Sequence, residues 1–326
     1  MDLNDRFDAL DENLKLDPRE RKRAITIHNR LGDLLVTAGV AKRTRLQGSF
    51  ARKTMLPPLH DIDKIVELVD ALRDLLAGPD GPRRAMRMIR DALAPHLRGA
   101  RFEVKKHALT ITLPGEGFGF DAVPAFNPED GSGWIMIADT EDRDWEPSNT
   151  YLLIDTIGRR NQECGGQFVH QVRMVKQAVR IAGLDDVLPG LHTETFAYNA
   201  ITRRTPHPDA VAAAFAAAAR LLGATYTDPT GADVISERLD PADVEKAQSG
   251  MQRLADSAVD ALRLAEAGDE EGAAQIWADI FGDAFPRPKQ AEKDYLARLY
   301  GGAGVDSSGR TSSQRRTPRT RPWRPL

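Results

Sequence analysis

Apolar positions along the chain follow two different periods, and the change of period divides it. Ala24, Ile27, Leu31, Leu34 and Leu35 recur at helical spacing. They follow Asp17-Pro18-Arg19-Glu20, in which aspartate caps, proline takes the first helical position and glutamate stands three after the cap. This predicts a long amphipathic helix to about Thr37, ended near Gly39. The pattern then shortens. A strand is expected near residues 43–47, and Ile62, Ile65, Val66, Leu68 and Val69 predict a strand over residues 61–69. Met86, Ile89, Leu93 and Leu97 fall on one face of a helix over residues 82–97. Three strands are expected near residues 102–113, 117–125 and 134–138, and their close succession favours antiparallel pairing. From residue 165 the helical period returns. Helices are predicted over residues 168–181 (Val172, Val175, Val179), residues 210–222, and residues 273–281, with another opening at Asp240-Pro241 and carrying Val244, Met251, Leu254 and Leu262. Trp277 and Phe281, four apart, read as core. The expected class is α+β: a strand-rich lobe followed by a helical lobe.

The candidate chemistry lies where the first strands begin. Asp61 and Asp63 open an apolar strand and, by alternation, point to the same face. Two adjacent carboxylates repel unless a cation lies between them. Magnesium suits such a pair, because it takes oxygen ligands, usually one or two carboxylates plus substrate phosphates. Two such ions serve an in-line displacement at phosphorus. A dozen residues earlier stands Leu46-Gln47-Gly48-Ser49, followed by Arg52, Lys53 and Thr54. Gly48 permits close approach of the backbone to a phosphate, and Ser49 offers an amide and a hydroxyl. A lone Gly-Ser is ordinarily a turn and a lone Asp-x-Asp a solvated strand start; the two in this order favour a triphosphate and metal site. A third ligand is expected from Asp121, a charge inside Phe118-Gly119-Phe120-Asp121-Ala122-Val123-Pro124-Ala125-Phe126.

These motifs together resemble the polymerase-beta-like nucleotidyltransferase superfamily, and within it the bacterial cGAS/DncV-like nucleotidyltransferases (CD-NTases, SMODS-type). The resemblance continues through Val172-Arg173-Met174-Val175-Lys176, Leu188-Pro189-Gly190-Leu191-His192-Thr193-Glu194, Asp228-Pro229-Thr230-Gly231, and residues 274–286 from Ala274 to Pro286. It implies a bilobal core with a mixed, mainly antiparallel sheet. The implied order is a spine helix over residues 1–40, a catalytic lobe over 41–160, a helical lobe over 161–300 and a disordered basic tail over 301–326. It implies catalytic and metal-binding roles for Asp61, Asp63 and Asp121, with Mg²⁺ or Mn²⁺. Nucleotide contacts are implied for Gly48, Ser49, Thr54 and Lys176, Lys176 touching the triphosphate. The implied activity is synthesis of a cyclic di- or oligonucleotide from ribonucleoside triphosphates, ATP foremost, for anti-phage signalling through a downstream effector, with a regulatory or activating protein as a further partner. One departure stands at Gly190, where a serine often helps to hold phosphate.

Composition narrows the alternatives. With 326 residues, 41% hydrophobic and 29% charged, the chain has the balance of a water-soluble protein with a substantial core. Its single cysteine, Cys164, excludes an internal disulfide and reads as a packing residue. The N-terminus lacks a signal-peptide pattern and no apolar run is long enough to span a membrane, so a cytoplasmic location is expected. The net charge of −3 is unevenly spread: beyond residue 305, six arginines face one aspartate, a charge of +5, which leaves −8 for the remainder. An acidic body disfavours strong duplex nucleic-acid binding and, with it, an RNA nucleotidyltransferase of the CCA-adding or poly(A) type. Asp61, Asp63, Asp121 and Ser49, all present, disfavour a catalytically silent regulator. A transferase acting on a small molecule or protein remains as a further alternative.

Overall fold

The computed structural model describes residues 1–288, so the expected basic tail lies outside the described residues. The order is α1 (Leu3–Asn13), α2 (Pro18–Thr37), β1 (Ala41–Leu46), a short α3 (Gly48–Arg52), β2 (Asp61–Leu68) and α4 (Gly81–Leu93). Five strands follow: β3 (Arg101–Val104), β4 (Leu109–Thr112), β5 (Gly119–Phe126), β6 (Ile135–Asp139) and β7 (Asp144–Ser148). The rest is helical: α5 (Thr150–Glu163), α6 (Phe168–Ile181), α7 (Gly190–Ala200), α8 (His207–Leu221), α9 (Pro241–Glu266) and α10 (Glu270–Phe281). Asp17 caps α2 as its sequence suggests, its carboxylate accepting the amides of Arg19 and Glu20. Among the described residues no helix is long and apolar enough to cross a membrane.

The sheet runs β1-β2-β5-β4-β3, with β6 pairing β5 and β7. It is mixed and mainly antiparallel, as expected, with one exception that matters. β5 runs antiparallel to β4 and β6 but parallel to β2. A parallel partner needs a long crossover, and α4 with the β3–β4 hairpin supplies it. Residues 102–113, expected as one strand, fold as that hairpin, turning between Val104 and Leu109. Pro124, which lacks an amide hydrogen, falls between the last β4 pairing, at Ala122, and the first β6 pairing, at Ala125.

Strand alternation sorts the sheet faces. Ile62, Val66 and Leu68 on β2 and Phe120, Ala122 and Phe126 on β5 pack under α2 and α4. Lys64 shares that face. It is 1% exposed, and its ammonium donates to the carbonyl of His28 on α2 at 2.6 Å. Burial lowers its pKa to about 7, Asp33 partly opposing. The opposite face carries Asp61, Asp63 and Asp121, then a small apolar patch of Ile65, Val123 and Ala125, then Glu67. Buried Glu67 accepts from Arg43, Asn127 and Tyr151, the last tying α5 to the sheet.

A second core unites the helices that follow the sheet, and the chain's first helix joins them. Leu153 and Ile157 carry α5 into it. α1 joins it as a separate helix, where one spine helix is expected over residues 1–40. Phe7 packs edge-on against Trp277, Phe281 and Phe285, with ring centroids 5.2, 5.9 and 5.3 Å away. The chain thus starts in the helical lobe, crosses by α2 to build the sheet, and returns through α5. Phe7→Ala is expected to cost about 3–5 kcal/mol, read as a lowered denaturation midpoint. A loss under about 0.5 kcal/mol would make α1 a surface appendage.

Candidate active site

The β2–β5 register sets Asp63 directly opposite Asp121. Asp61, two residues earlier, shares their face, opposite Gly119. The backbone ladder between β1 and β2 extends one step, the Gln47 amide donating to the Asp63 carbonyl at 2.9 Å. That places Gly48 over the Asp63 carboxylate. Gly48 has φ +66°, and a Cβ there would lie 1.8 Å from Asp63 Oδ2. Both the turn and the approach therefore require glycine.

Burial, then the neighbouring charges of Asp121 and Asp61, raise the Asp63 pKa, while Arg52 pulls it down. Asp121 accepts the Thr110 hydroxyl through one oxygen, and its other oxygen lies 4.0 Å from Lys105 Nζ. The three carboxylates, on one face of two adjacent strands, are oxygen-only donors that repel one another and could hold a divalent cation. A different group, His107, Asp139 and Glu146, has ligand atoms within 4.8 Å of one another. There Asp139 is already served by the amides of Glu141 and Asp142 and by Lys106 at 3.3 Å.

Two cavities flank this point. One of ≈260 Å³ is lined by Ser49, His60, Asp61, Lys176 and Gly190. The other, ≈690 Å³, runs from Gly48, Arg52 and Asp63 past Trp134 and Asn149 to Asp228, Asp233 and Arg238. The second is within the usual range of small-molecule sites. Asn149 donates to Asp228 at 2.8 Å and to Thr230 at 2.7 Å. The Asp228-Pro229-Thr230-Gly231 element is thereby bound to the start of α5.

Between the cavities stands Glu194 of α7, which sequence reasoning noticed only as part of a longer run. It is 0% exposed and accepts four hydrogen bonds: from Arg52 at 2.7 and 3.2 Å, Thr54 at 2.7 Å and Lys176 at 2.6 Å. Burial acts to raise its pKa, but Arg52 and Lys176 overcome that and hold it down to about 2. Burial lowers the Lys176 pKa, with Glu194 opposing. Arg52 thus faces the cavity of Asp63, and Lys176 that of Asp61 and Ser49. Thr54 faces neither. It is 0% exposed and its hydroxyl is spent on Glu194, so its place is in this network rather than against a ligand.

The glycine at 190 has a local reason. It begins α7, and a Cβ there would lie 3.3 Å from Lys176 Nζ. His192 is 3% exposed and bonds the Tyr226 hydroxyl at 2.7 Å; burial lowers its pKa to about 4. It is a packing residue, whereas His60 lies at the rim of the smaller cavity. Gly48→Ala is expected to lower turnover at least about 100-fold, assayed as product formation from nucleoside triphosphates, while the far-ultraviolet circular dichroism stays that of the parent. Parental turnover would show that the close approach to Asp63 is dispensable.

The family of the Second Messenger Oligonucleotide or Dinucleotide Synthetase domain (SMODS) matches residues 1–161. A Bacillus cereus protein named a probable cyclic nucleotide synthase is 23% identical over 73% of this chain and 81% of its own. Among solved structures, Escherichia coli MS115-1 CdnC with ATP superposes at TM-score 0.69, with 18% identity, covering 88% of this chain and 99% of that one. The same CdnC has also been solved with HORMA-deltaN, at TM-score 0.67 and 17% identity, covering 88% and 98%. Vibrio cholerae DncV, a cyclic AMP-GMP synthase solved with the linear intermediate pppA(3′,5′)pG, superposes at TM-score 0.58 with 17% identity, covering 75% and 69%. The chain shares the fold of these solved structures, and its first half, residues 1–161, is similar to the second-messenger synthetase domain family.

Proposed function

We propose that this chain joins ribonucleoside triphosphates into a cyclic di- or oligonucleotide, releasing pyrophosphate, and that the product is a messenger of anti-phage defence. The observation carrying this reading is that Asp61, Asp63 and Asp121 share one sheet face, with Gly48 against Asp63, Asp61 lining one cavity and Asp63 the other. Asp61, Asp63 and Asp121 would hold Mg²⁺ or Mn²⁺. Such ions lower the pKa of an attacking ribose hydroxyl and offset charge on the leaving pyrophosphate.

The protein's own groups then do the positioning. Gly48 and Ser49 offer backbone amides and a hydroxyl to phosphate oxygens at the turn. Lys176 brings a positive charge to the same cavity, held ready by Glu194. Asp121 would take the proton of the attacking hydroxyl, its carboxylate accepting the Thr110 hydroxyl and lying 4.0 Å from Lys105 Nζ. The larger cavity supplies room beside Asp63 for nucleotide, and Trp134 offers a ring against which a base can stack. Most of the rate enhancement would come from orientation and charge neutralisation.

The acidic lining of that cavity supports small nucleotides over an RNA end: Asp63, Glu146, Asp228 and Asp233 outnumber Arg52 and Arg238. CdnC has been solved with HORMA-deltaN, which supports a regulatory protein partner here as well. A separate effector would read the product.

Incubation with all four labelled ribonucleoside triphosphates and Mg²⁺, followed by phosphatase and mass spectrometry, tests this reading. The expected result is a phosphatase-resistant product of cyclic mass, absent from the folded double variant Asp61→Ala, Asp63→Ala. A product that the double variant makes equally well, or extension of an added RNA in place of a cyclic species, would overturn it.

A further inference from the structure

A third cavity, ≈350 Å³, lies behind the Gly48–Ser49 turn, and its lining is unlike that of the acidic cleft. Of its eight lining residues five are basic, Lys15, Arg21, Lys53, His170 and Arg173, and none is acidic. The other three, Leu16, Met55 and Val169, are apolar. The body of the chain is acidic, so this concentration of positive charge runs against the composition around it.

Part of that charge is already balanced. Asp11 of α1 accepts from Arg173 at 2.9 Å and His170 at 2.6 Å, and lies 3.1 Å from Lys15. Glu12 also pairs with Lys15. The remaining two cations have no carboxylate partner among the described residues. The Arg21 guanidinium lies 5.0 Å from the Phe50 ring centroid, a cation–π contact that leaves its hydrogen-bond donors free. Lys53 stands at the end of α3 with φ +61°, its carbonyl accepting from Arg173 at 2.9 Å. Two unpaired cations over an apolar floor, in a concavity sized for a small molecule, form a recognisable chemistry.

We infer that this cavity is a second ligand site, for a small organic dianion with a compact apolar body, such as an aryl phosphate. Arg21 and Lys53 hold the two negative charges, and Leu16, Met55 and Val169 take the apolar part. The site shares Met55 with the cavity of Ser49 and Asp61. Through Phe50 and the Lys53 carbonyl it also abuts α3. A ligand here would therefore sit against the back of the phosphate-binding turn without entering the cleft.

Isothermal titration of the full chain with phenyl phosphate, without metal, tests the site and needs no turnover. One site is expected, binding inorganic phosphate more weakly. Charge-assisted hydrogen bonds of this kind support at least tenfold in affinity each. The variant Arg21→Gln, Lys53→Asn should therefore bind about a hundredfold more weakly. Arg180→Ala, which removes a cation from the cavity of Ser49, should bind as the parent does. Should the double variant fold poorly, exposed Lys53→Asn alone carries the test with a loss of about tenfold, asparagine tolerating the left-handed backbone. No binding by the parent at millimolar phenyl phosphate, parental affinity in the Lys53 variants, or an equal loss in Arg180→Ala would overturn the assignment.

Discussion

Everything at the candidate site depends on one pairing, the parallel alignment of β2 with β5. It sets Asp63 against Asp121 and, through alternation, turns Asp61 to the same side. The same alternation sends Ile62, Lys64 and Val66 beneath α2, where burial lowers the Lys64 pKa. A one-residue slip would exchange the two faces, putting carboxylates into the core and apolar side chains into the cleft. Register is therefore fixed by the hydrophobic core on one side, and the chemistry on the other inherits its precision.

Burial raises the pKa of Asp63, and the neighbouring carboxylates of Asp121 and Asp61 add to that cost. Arg52 offsets part of it, and Arg52 is in turn held by Glu194 from the helical lobe. Glu194 also fixes Lys176 and Thr54, so one buried carboxylate spans the lobes. Buried ion clusters of this kind contribute little net stability, because desolvation offsets the attraction. Their value here is geometric. The two cations lining adjacent cavities are held at set positions relative to the turn and the aspartates.

Much of the local structure was legible in the sequence. The capped α2, the Asp61 strand, the α6 helix and the core role of Trp277 follow from caps and periodicity. Gly48 was readable as a point of close approach, though not that its target is Asp63. What escaped depends on contacts between distant segments. Strand succession suggests antiparallel neighbours, and nothing local announces that β5 docks parallel to β2. The helix α1 is short and polar, and its one large aromatic, Phe7, gains meaning only against Trp277 and Phe281. β7, α5 and α7 lack strong periodic signals. Thr54 was expected against nucleotide because it is polar and near the turn; burial against Glu194 assigns it elsewhere. The Glu194 hub had a signal, a carboxylate on a mostly buried helix, but its partners Arg52 and Thr54 come from the other lobe.

The most direct test of the account is a crystal structure with a non-hydrolysable ATP analogue and Mn²⁺, located by anomalous scattering. Manganese coordinated by Asp61, Asp63 and Asp121, with the triphosphate against Gly48 and Ser49 and in reach of Lys176, is the predicted result. A triphosphate bound away from the Gly48–Ser49 turn, or manganese that avoids the three aspartates, would contradict it.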